Sequence, residues 1–486
     1  MILDPWSFLD RQGLSVNLFC RVRPRGSCES SGWTGLRTLL HIRLLVLVPG
    51  LVLMPLFAAQ AQTAGEDDED EVEIVYTLRA STEGALETDN LDAQKLETEL
   101  LPGVEIAFDE GIRFTAKGRF RYDAFDELEP GSPSQDTTSP ESRRLRFNSN
   151  SEAELREFFF EVPTDFAYFV VGKQQTVWGQ SDGLKVLDVV NPQDFREFIL
   201  DDFEDSRIPL WTVKAEIPLG DVLAELVWIP DTTYNDIPEP DAAYAFTSPS
   251  FVPVPVPGTS FVLDDPDRPD NPISDSDIGF RLSAFVDGWD LSFNYLYAYD
   301  DTEIPFQNRD SFPTVVIEPE FRRTHLIGGT FSNAFGDFVV RGEAALSTNR
   351  YFITDNPNDD DGIEESPNFN YVLGLDWYGM RDTLISGQLF QDIIVDNTEG
   401  VTRDRTETTI TLLARRSFLN DRLALELQWL QGLNIGDGLV RPKVQYDFTD
   451  SVTVWGGADV FYGGSRGLFG QFDGESRLVL GVALTL

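Results

Sequence analysis

The sequence predicts an all-β protein, a single transmembrane antiparallel β-barrel of about 18 strands, with 16 as the alternative. Three observations lead to this prediction. Segments in which apolar and polar residues alternate recur after residue 72. Short and long connections between these segments alternate along the chain. The chain ends on a strand-like segment with one apolar face. A soluble sandwich or solenoid has no reason to sort its connections by length. A membrane barrel does, with short periplasmic turns on one rim and long external loops on the other.

The clearest strand pair lies at residues 277–301. Apolar residues alternate with polar ones on both sides of the Asp287-Gly288 turn, which predicts a hairpin with one apolar face. Similar pairs are joined by tight turns at 163–165, 219–221, 335–337, 379–382, 419–421 and 447–450. Longer polar connections separate the pairs, at 126–150, 176–207, 232–276, 301–320, 351–367, 397–404 and 464–473. Starting from a strand at 72–80, the count is even and both termini lie on the short-turn side, as bacterial barrels require.

The N-terminal segment indicates export to a cell envelope. An apolar stretch at residues 44–57 follows basic residues and precedes Ala59-Gln60-Ala61, a pattern typical of a signal peptide and its cleavage site. We therefore expect residues 1–61 to be removed, leaving an acidic periplasmic segment at 62–71 and a barrel over 72–486. A membrane anchor is the alternative, and the long region before Arg37 leaves the true start of the chain open.

Composition restricts the partners. Both cysteines, Cys20 and Cys28, lie in the segment expected to be removed, so the mature chain has no thiol for disulfides or thiolate metal sites. The net charge of −44 excludes nucleic acid, since binding a polyanion requires clustered Lys and Arg. Acidic external loops suit divalent cations and bridges to lipopolysaccharide. The run at 355–365 nevertheless lacks the spacing of an EF-hand, so we expect no dedicated metal site and no cofactor.

The last segment indicates a further partner. Residues 476–486 place Leu478, Leu480, Val482, Leu484 and Leu486 on one face. This arrangement resembles the C-terminal strand through which the outer-membrane assembly machinery recognises barrels, although the final residue is not aromatic. We therefore expect that machinery and outer-membrane lipid as partners.

Charged residues at alternate strand positions are expected to face the lumen, because a charge facing lipid is costly at the membrane midplane. The predicted lumen-lining residues are Arg113, Lys117, Arg119, Arg121, Lys214, Glu216, Arg281, Arg341 and Glu343. Two interpretations stay open. Either a cationic ladder opposite acidic groups shapes the electric field of a pore, or salt bridges simply fill the interior.

The connection at residues 176–207 is long and too apolar to lie in water. We expect it to fold into the barrel mouth as a constriction loop, with Asn191-Pro192 making a turn and Asp194 capping a short helix in PQDFREFIL. The predicted constriction residues are Lys173, Gln175, Trp178, Gln180, Asp182, Asp188, Asn191, Pro192 and Asp194. The alternative is a loop that only braces the wall. A second long external loop, 232–276, contains Val-Pro repeats that predict an extended segment, either covering the mouth or docking a solute or partner.

A family resemblance rests on residues 171–195. Gly-Lys-Gln, then Trp-Gly-Gln-Ser, then Asp188 and Asn-Pro-x-Asp occur in an order that resembles the bacterial outer-membrane family labelled domain of unknown function 1302. That family carries Gly-Arg-Gln and Trp-Gly-Glu, so Lys173 and Gln180 depart from its pattern and alter any ionic pairing between those two positions. The resemblance, concentrated in residues 156–230, implies a barrel. Its members are discussed alongside envelope efflux or transport, and no biochemical activity is agreed for them.

No enzyme is expected from the sequence. His325 is the one histidine left after residue 61, and no GxSxG or HExxH motif accompanies it. We expect an outer-membrane channel or transporter that passes a small solute through a lumen partly occluded by residues 176–207. The alternative is a largely closed surface scaffold or adhesin that acts through its acidic external loops. The identity of the solute and the direction of transport stay open.

Overall fold

The computed structural model describes residues 72–255, 258–396 and 400–486. The predicted signal peptide at 1–61 and the acidic segment at 62–71 lie outside the described residues. In the described part, no helix combines the length and apolar character needed to cross a bilayer.

Eighteen antiparallel strands form one closed sheet, which confirms the predicted barrel and its strand number. The sheet closes where the last strand pairs with the first, with Leu484 opposite Ala80. The strands are β1 (Glu73–Glu87), β2 (Ala93–Ala107), β3 (Arg113–Asp123), β4 (Ser151–Pro163), β5 (Tyr168–Gln174), β6 (Leu210–Leu219), β7 (Val222–Ile229), β8 (Asp277–Val286), β9 (Trp289–Tyr299), β10 (Arg323–Phe335), β11 (Phe338–Ile353), β12 (Ile363–Trp377), β13 (Thr383–Ile394), β14 (Thr406–Phe418), β15 (Leu423–Gly432), β16 (Gly438–Thr449), β17 (Val452–Tyr462) and β18 (Arg477–Thr485).

The two faces of the wall follow from the alternation in the sequence. On β18, Leu478, Leu480 and Val482 are exposed, whereas Arg477 and Ala483 are buried. Successive side chains of a strand point to opposite faces, so one face carries an apolar surface suited to lipid and the other carries polar side chains. A barrel has no free edge, because every strand is paired on both sides.

The connections sort into two rims. The short-turn rim uses tight turns such as 220–221, 287–288 and 336–337, where residues including Asp287 and Gly288 take positive φ as hairpin turns require. The opposite, long-loop rim carries seven of the long connections. The predicted strict alternation of lengths is wrong at residues 88–92 and 433–437, which are short although they lie on the long-loop rim. At residues 88–92 the paired strands continue up to the turn, where the Glu87 N–H donates to Asp92 O at 2.9 Å. A tight turn is therefore long enough to join them.

The long loops build structure of their own. Strands Ser260–Leu263, Ile304–Asn308 and Thr314–Glu320 form a separate three-stranded sheet, and Leu145–Asn148 extends the pairing of β4. An α-helix covers Phe203–Ser206, and 3-10 turns cover Asp109–Gly111 and Gly470–Glu475. Some of the largest fully buried side chains, such as Trp178, Tyr244 and Phe472, lie in loops, whereas others, such as Phe461, lie in strands. The hydrophobic core of this barrel is therefore built by the loops and the inner wall together.

Candidate functional site

The connection between β5 and β6, residues 175–209, is a loop closed at its base by Asn191. The Asn191 Oδ1 accepts the Thr176 N–H at 2.7 Å, and its Nδ2 donates to Ile208 O at 2.9 Å. The Ile208 N–H in turn donates to Pro192 O at 2.8 Å. One side-chain amide thus joins the start and the end of the loop, which explains why the Asn-Pro pair stands where it does.

The first half of the loop packs into an apolar cluster. Trp178 is 0% exposed, and its Nε1 donates to Glu225 Oε1 on β7 at 2.6 Å. Its ring lies over Gly279 of β8, where a Cβ would come within 2.7 Å of the indole, so only glycine fits there. The cluster joins loop residues Trp178, Val186, Leu187 and Val190 to wall residues Leu210, Val227, Ile229, Leu296, Ala298, Leu326, Ala345, Val372 and Phe390. Several strands thus turn apolar side chains inward here, whereas the interior of a porin is polar.

Polar contacts fix the tip of this half to β11, and Gln388 of β13 donates to the Asp182 carboxylate at 3.0 Å. Arg341 donates to Gln180 O and to the Asp182 carboxylate, and its Nε lies 3.0 Å from Asp376 Oδ2. Glu343 accepts the backbone N–H groups of Gln180 and Leu187, the second at 3.2 Å. Two predicted lumen-lining residues and two predicted constriction residues therefore meet in one cluster.

The second half of the loop carries a buried ion-pair network. Glu197 is 1% exposed and lies between Lys95 of β2, at 2.6 Å, and Arg477 of β18, at 2.7 Å. Arg196 contacts Glu97 of β2 at 2.7 Å and Glu129 at 2.9 Å. Leaving one member of such a buried network without its partner is strongly destabilising.

Aromatic packing accompanies this network. Phe198 and Leu200 join an apolar cluster with wall and loop residues, and the rings of Phe198 and Phe472 lie 4.7 Å apart. The other members are Leu128, Tyr244, Leu430, Leu439, Phe461 and Phe469. The Arg441 Nη2 on β16 donates to Leu200 O at 2.7 Å. The loop is thus anchored on this side by both rings and charges.

The two anchoring regions face each other across the barrel. Lys95 on β2 and Arg341 on β11 stand halfway round the closed sheet from one another, and both contact the loop. A segment that touches opposite walls of a closed barrel passes through its interior. Two small cavities lie beside the loop, one of about 20 Å³ next to Arg121 and Arg196 and one of about 10 Å³ next to Arg341 and Glu343. Each holds about one water molecule.

The predicted helix in PQDFREFIL is wrong. Gln193 instead bridges to Arg207 and Asp194 to Asp236, turns follow, and the only α-helix of the described residues begins later, at Phe203. The Asp194 carboxylate accepts the Arg196 N–H at 3.0 Å and lies 3.8 Å from Arg144. Charge pairing with the wall and with other loops has overridden the local capping signal.

The remaining predicted loop residues contact other parts of the loop and its base. Asp188 pairs with Arg207 at 2.7 Å, and Gly179 is so close to it that a Cβ would lie 2.8 Å from the Asp188 nitrogen. Gln175 accepts from Arg207 at 3.4 Å. Lys173 is buried beside the base of the loop, where its strand neighbours are Phe158 and Trp211. Gly179 and Asp188 of the sequence motif therefore stabilise the conformation of the loop itself.

Most predicted lumen-lining residues pair with neighbouring carboxylates. Lys117 pairs with Glu157 at 3.0 Å, Arg119 with Glu154 at 2.9 Å, Arg121 with Glu152 at 3.3 Å and Lys214 with Glu216 at 3.0 Å. Arg281 instead reaches the loop, with its Nη1 3.5 Å from Val177 O. Arg113 is exposed at the short-turn rim and forms no ion pair within the described part of the chain. The rows of charged residues were predicted from the sequence, but the residues with which they pair were not.

Several residues that hold the loop were not predicted from the sequence. They are Lys95, Glu97, Glu129, Arg144, Arg196, Glu197, Arg207 and Arg477. Lys95 and Glu97 alternate on one strand, and this charged alternation was the available signal. For Arg196 and Glu197, the available signal was that two adjacent charged residues occur within an otherwise apolar loop.

Outside this site, two predicted features can be placed. His325 is exposed, and its Nδ1 hydrogen-bonds to the Tyr295 hydroxyl at 2.9 Å. In the acidic 355–365 run, the Asp359 carboxylate accepts backbone N–H groups of its own turn, including Asp361 at 3.1 Å. No group of three or more His, Cys, Asp or Glu side chains suited to a metal ion occurs within the described residues. Loose binding of divalent cations by these loops stays a prediction.

Loop docking is expected to weaken as the pH rises from 5 to 8. Burial, together with the neighbouring Glu197 carboxylate, raises the pKa of the Asp201 carboxyl to about 8. Docking thus favours protonated Asp201, so its stabilising contribution is present below the usual aspartate pKa and is lost as the pH approaches 8. Chymotrypsin cleavage after Phe195 and Phe198, normalised to a peptide substrate, should increase over this range. Asp201→Asn should flatten the profile; an unchanged profile in that variant would contradict the assignment.

Together, fold and loop define a porin-like outer-membrane β-barrel whose interior is crossed by one of its own loops. The chain belongs to the family described as protein of unknown function (DUF1302), whose profile matches residues 60–484. The family description carries no activity.

Solved structures with similar architecture are outer-membrane proteins. OmpT of Vibrio cholerae, with its loop L8 deleted, is 10% identical over 85% of this chain and 99% of its own, with a TM-score of 0.40. OccAB1 of Acinetobacter baumannii is 9% identical over 85% and 96%, with a TM-score of 0.47. OmpF of Salmonella typhi in complex with daunomycin is 9% identical over 85% and 98%, with a TM-score of 0.40. No curated protein sequence matches the chain significantly.

Proposed function

We propose that this protein is a gated channel of the bacterial outer membrane, in which the 175–209 loop closes the lumen and a small solute passes when the loop moves. The observation that supports this most is the contact of one loop with opposite walls, at Lys95 and Arg341. A barrel of this strand number leaves an aqueous channel unless something fills it. The loop is therefore the element that sets whether the pore conducts.

The construction of the loop favours a movable element. Its base is closed by Asn191, so the whole loop can leave the wall as a unit without unfolding β5 or β6. Its second half is held by buried ion pairs, which a change of charge beside them would weaken, whereas the first half is held by the apolar contacts of Trp178. Release is thus expected to begin at the ion pairs.

The same proposal covers location and partners. Export by the signal peptide at residues 1–61 and folding by the outer-membrane assembly machinery would deliver the barrel. The short-turn rim would then face the periplasm, and the acidic long loops would meet lipopolysaccharide through divalent cations. No cofactor and no enzymatic step are proposed.

Planar-bilayer recording of the refolded mature protein tests the proposal. We expect a long-lived closed state with brief, discrete openings, because the docked loop contacts opposite walls of the barrel. The alternative function, a closed surface scaffold or adhesin acting through acidic loops, predicts silence both in the native protein and after removal of the loop. Silence in both preparations, each folded as a barrel, would overturn the channel.

A further inference from the structure

Arg281 differs from the other buried or partly buried arginines of the inner wall. Arg119, Arg121 and Arg341 each lie within 4.0 Å of a carboxylate. Arg281 has no carboxylate within that distance among the described residues, although the chain has 82 acidic residues against 38 basic ones. Its one hydrogen bond to the loop, Nη1 to Val177 O, is long at 3.5 Å, and its Nε has no partner within the described part.

A second unpaired donor lies directly beside it. Asn294 on β9 is the cross-strand partner of Arg281 on β8, so both side chains lie on the same face of adjacent strands. Asn294 is 0% exposed, and its Oδ1 accepts the Ser292 hydroxyl at 2.8 Å. Its Nδ2 has no acceptor in the described residues. Buried amide donors are almost always satisfied, so an unpaired one next to a guanidinium that lacks a carboxylate calls for an acceptor.

The neighbouring groups limit the nature of that acceptor. Glu225, the partner of Arg281 on β7, accepts from Trp178 at 2.6 Å and lies 4.0 Å from Lys214, so it is already engaged. The Ser292 hydroxyl donates to Asn294 Oδ1 and accepts from the Thr330 hydroxyl at 2.8 Å, so both hydroxyls are engaged. What remains is a planar guanidinium and an amide nitrogen, two donors on adjacent strands. A carboxylate, with two oxygens in one plane, matches such a pair.

We propose that Arg281 and Asn294 bind the carboxylate of a small solute beneath the start of the 175–209 loop. The inference rests on the proposed channel, since it names the class of solute that the channel takes. The carboxylate replaces Val177 O as the partner of Arg281, and it gives the Asn294 amide its missing acceptor. Binding therefore removes one contact of the loop with the wall while it satisfies two donors of the wall.

Equilibrium dialysis of the mature barrel in detergent, with radiolabelled propionate as the probe and propionamide as the uncharged control, tests this site. We expect saturable binding of propionate only. Arg281→Gln should weaken it by roughly tenfold or more, because it removes a charged hydrogen-bond donor. Asn294→Ser should cause a smaller loss. The matched control is Arg415→Gln, which removes an arginine already paired with Glu426 at 2.6 Å and should leave binding unchanged.

Three results would overturn the site: equal binding of propionamide, unchanged binding in Arg281→Gln, or equal displacement by inorganic phosphate, which would show selection for charge alone. If Arg281→Gln does not refold, Arg281→Lys keeps the charge without the planar fork and should bind with intermediate affinity. Binding is measured without current, so the two proposals fail separately. If propionate binds but the barrel does not conduct, the channel proposal is wrong and the binding site stands. If the barrel conducts but does not bind propionate, only the binding site is wrong.

Discussion

Replacing residues 177–207 with a short Gly-Ser linker is expected to raise single-channel conductance by roughly tenfold or more, because an unfilled barrel of this size holds an aqueous pore. The linker can be short, since the Asn191 side chain contacts both Thr176 and Ile208 and so places the two ends of the loop near each other. β5 and β6 keep their pairing, with Lys173 opposite Trp211. Planar-bilayer recording at fixed salt measures the change.

The matched control is the same linker in place of residues 357–360, an exposed turn on the same rim. It should leave the conductance unchanged, because this turn does not cross the interior. If both replacements raise the conductance equally, the effect comes from general loosening of the rim. If neither does, the 175–209 loop does not close the pore.

Glu197→Gln is expected to release the second half of the loop. The substitution removes the charge between Lys95 and Arg477 and weakens docking by about 3 kcal/mol, or roughly a hundredfold in the docking equilibrium. Chymotrypsin should then cleave rapidly after Phe198, and the open probability in bilayers should rise. The barrel itself should stay folded, because Arg477 keeps Asp459 at 2.9 Å.

The control for this substitution is Arg381→Gln. Arg381 pairs with Asp382 at 3.3 Å on the short-turn rim, and its side chain is 92% exposed. Exposed pairs contribute little, so neither cleavage nor open probability should change. Equal effects of the two substitutions would mean that net charge, and not the buried network, governs the loop.

The barrel was predictable because its signals are local. Alternation within each strand and turn residues such as Asp287-Gly288 act over a few positions, and both identify the hairpin without knowledge of its partners. The apolar character of residues such as Trp178 likewise indicated that the long loop leaves the solvent. Strand number and wall architecture follow from these signals alone.

The internal contacts of the loop could not be predicted, because they join distant parts of the chain. Lys95 and Glu197 are separated by 102 positions, and the sequence around each residue does not indicate that the other is its partner. Local capping rules even pointed the wrong way at Asp194, whose carboxylate is oriented by Arg144 from another loop. Short turns at 88–92 and 433–437 were missed because their length depends on where paired strands end.

The position of Glu197 has a consequence for biogenesis. Its two partners come from opposite ends of the chain, Lys95 on the second strand and Arg477 on the last. The ion pair with Arg477 forms only after synthesis and insertion of the final strand, so the loop docks completely at the last step of assembly. Under the proposed function, the lumen is therefore expected to close only once the last strand is in place.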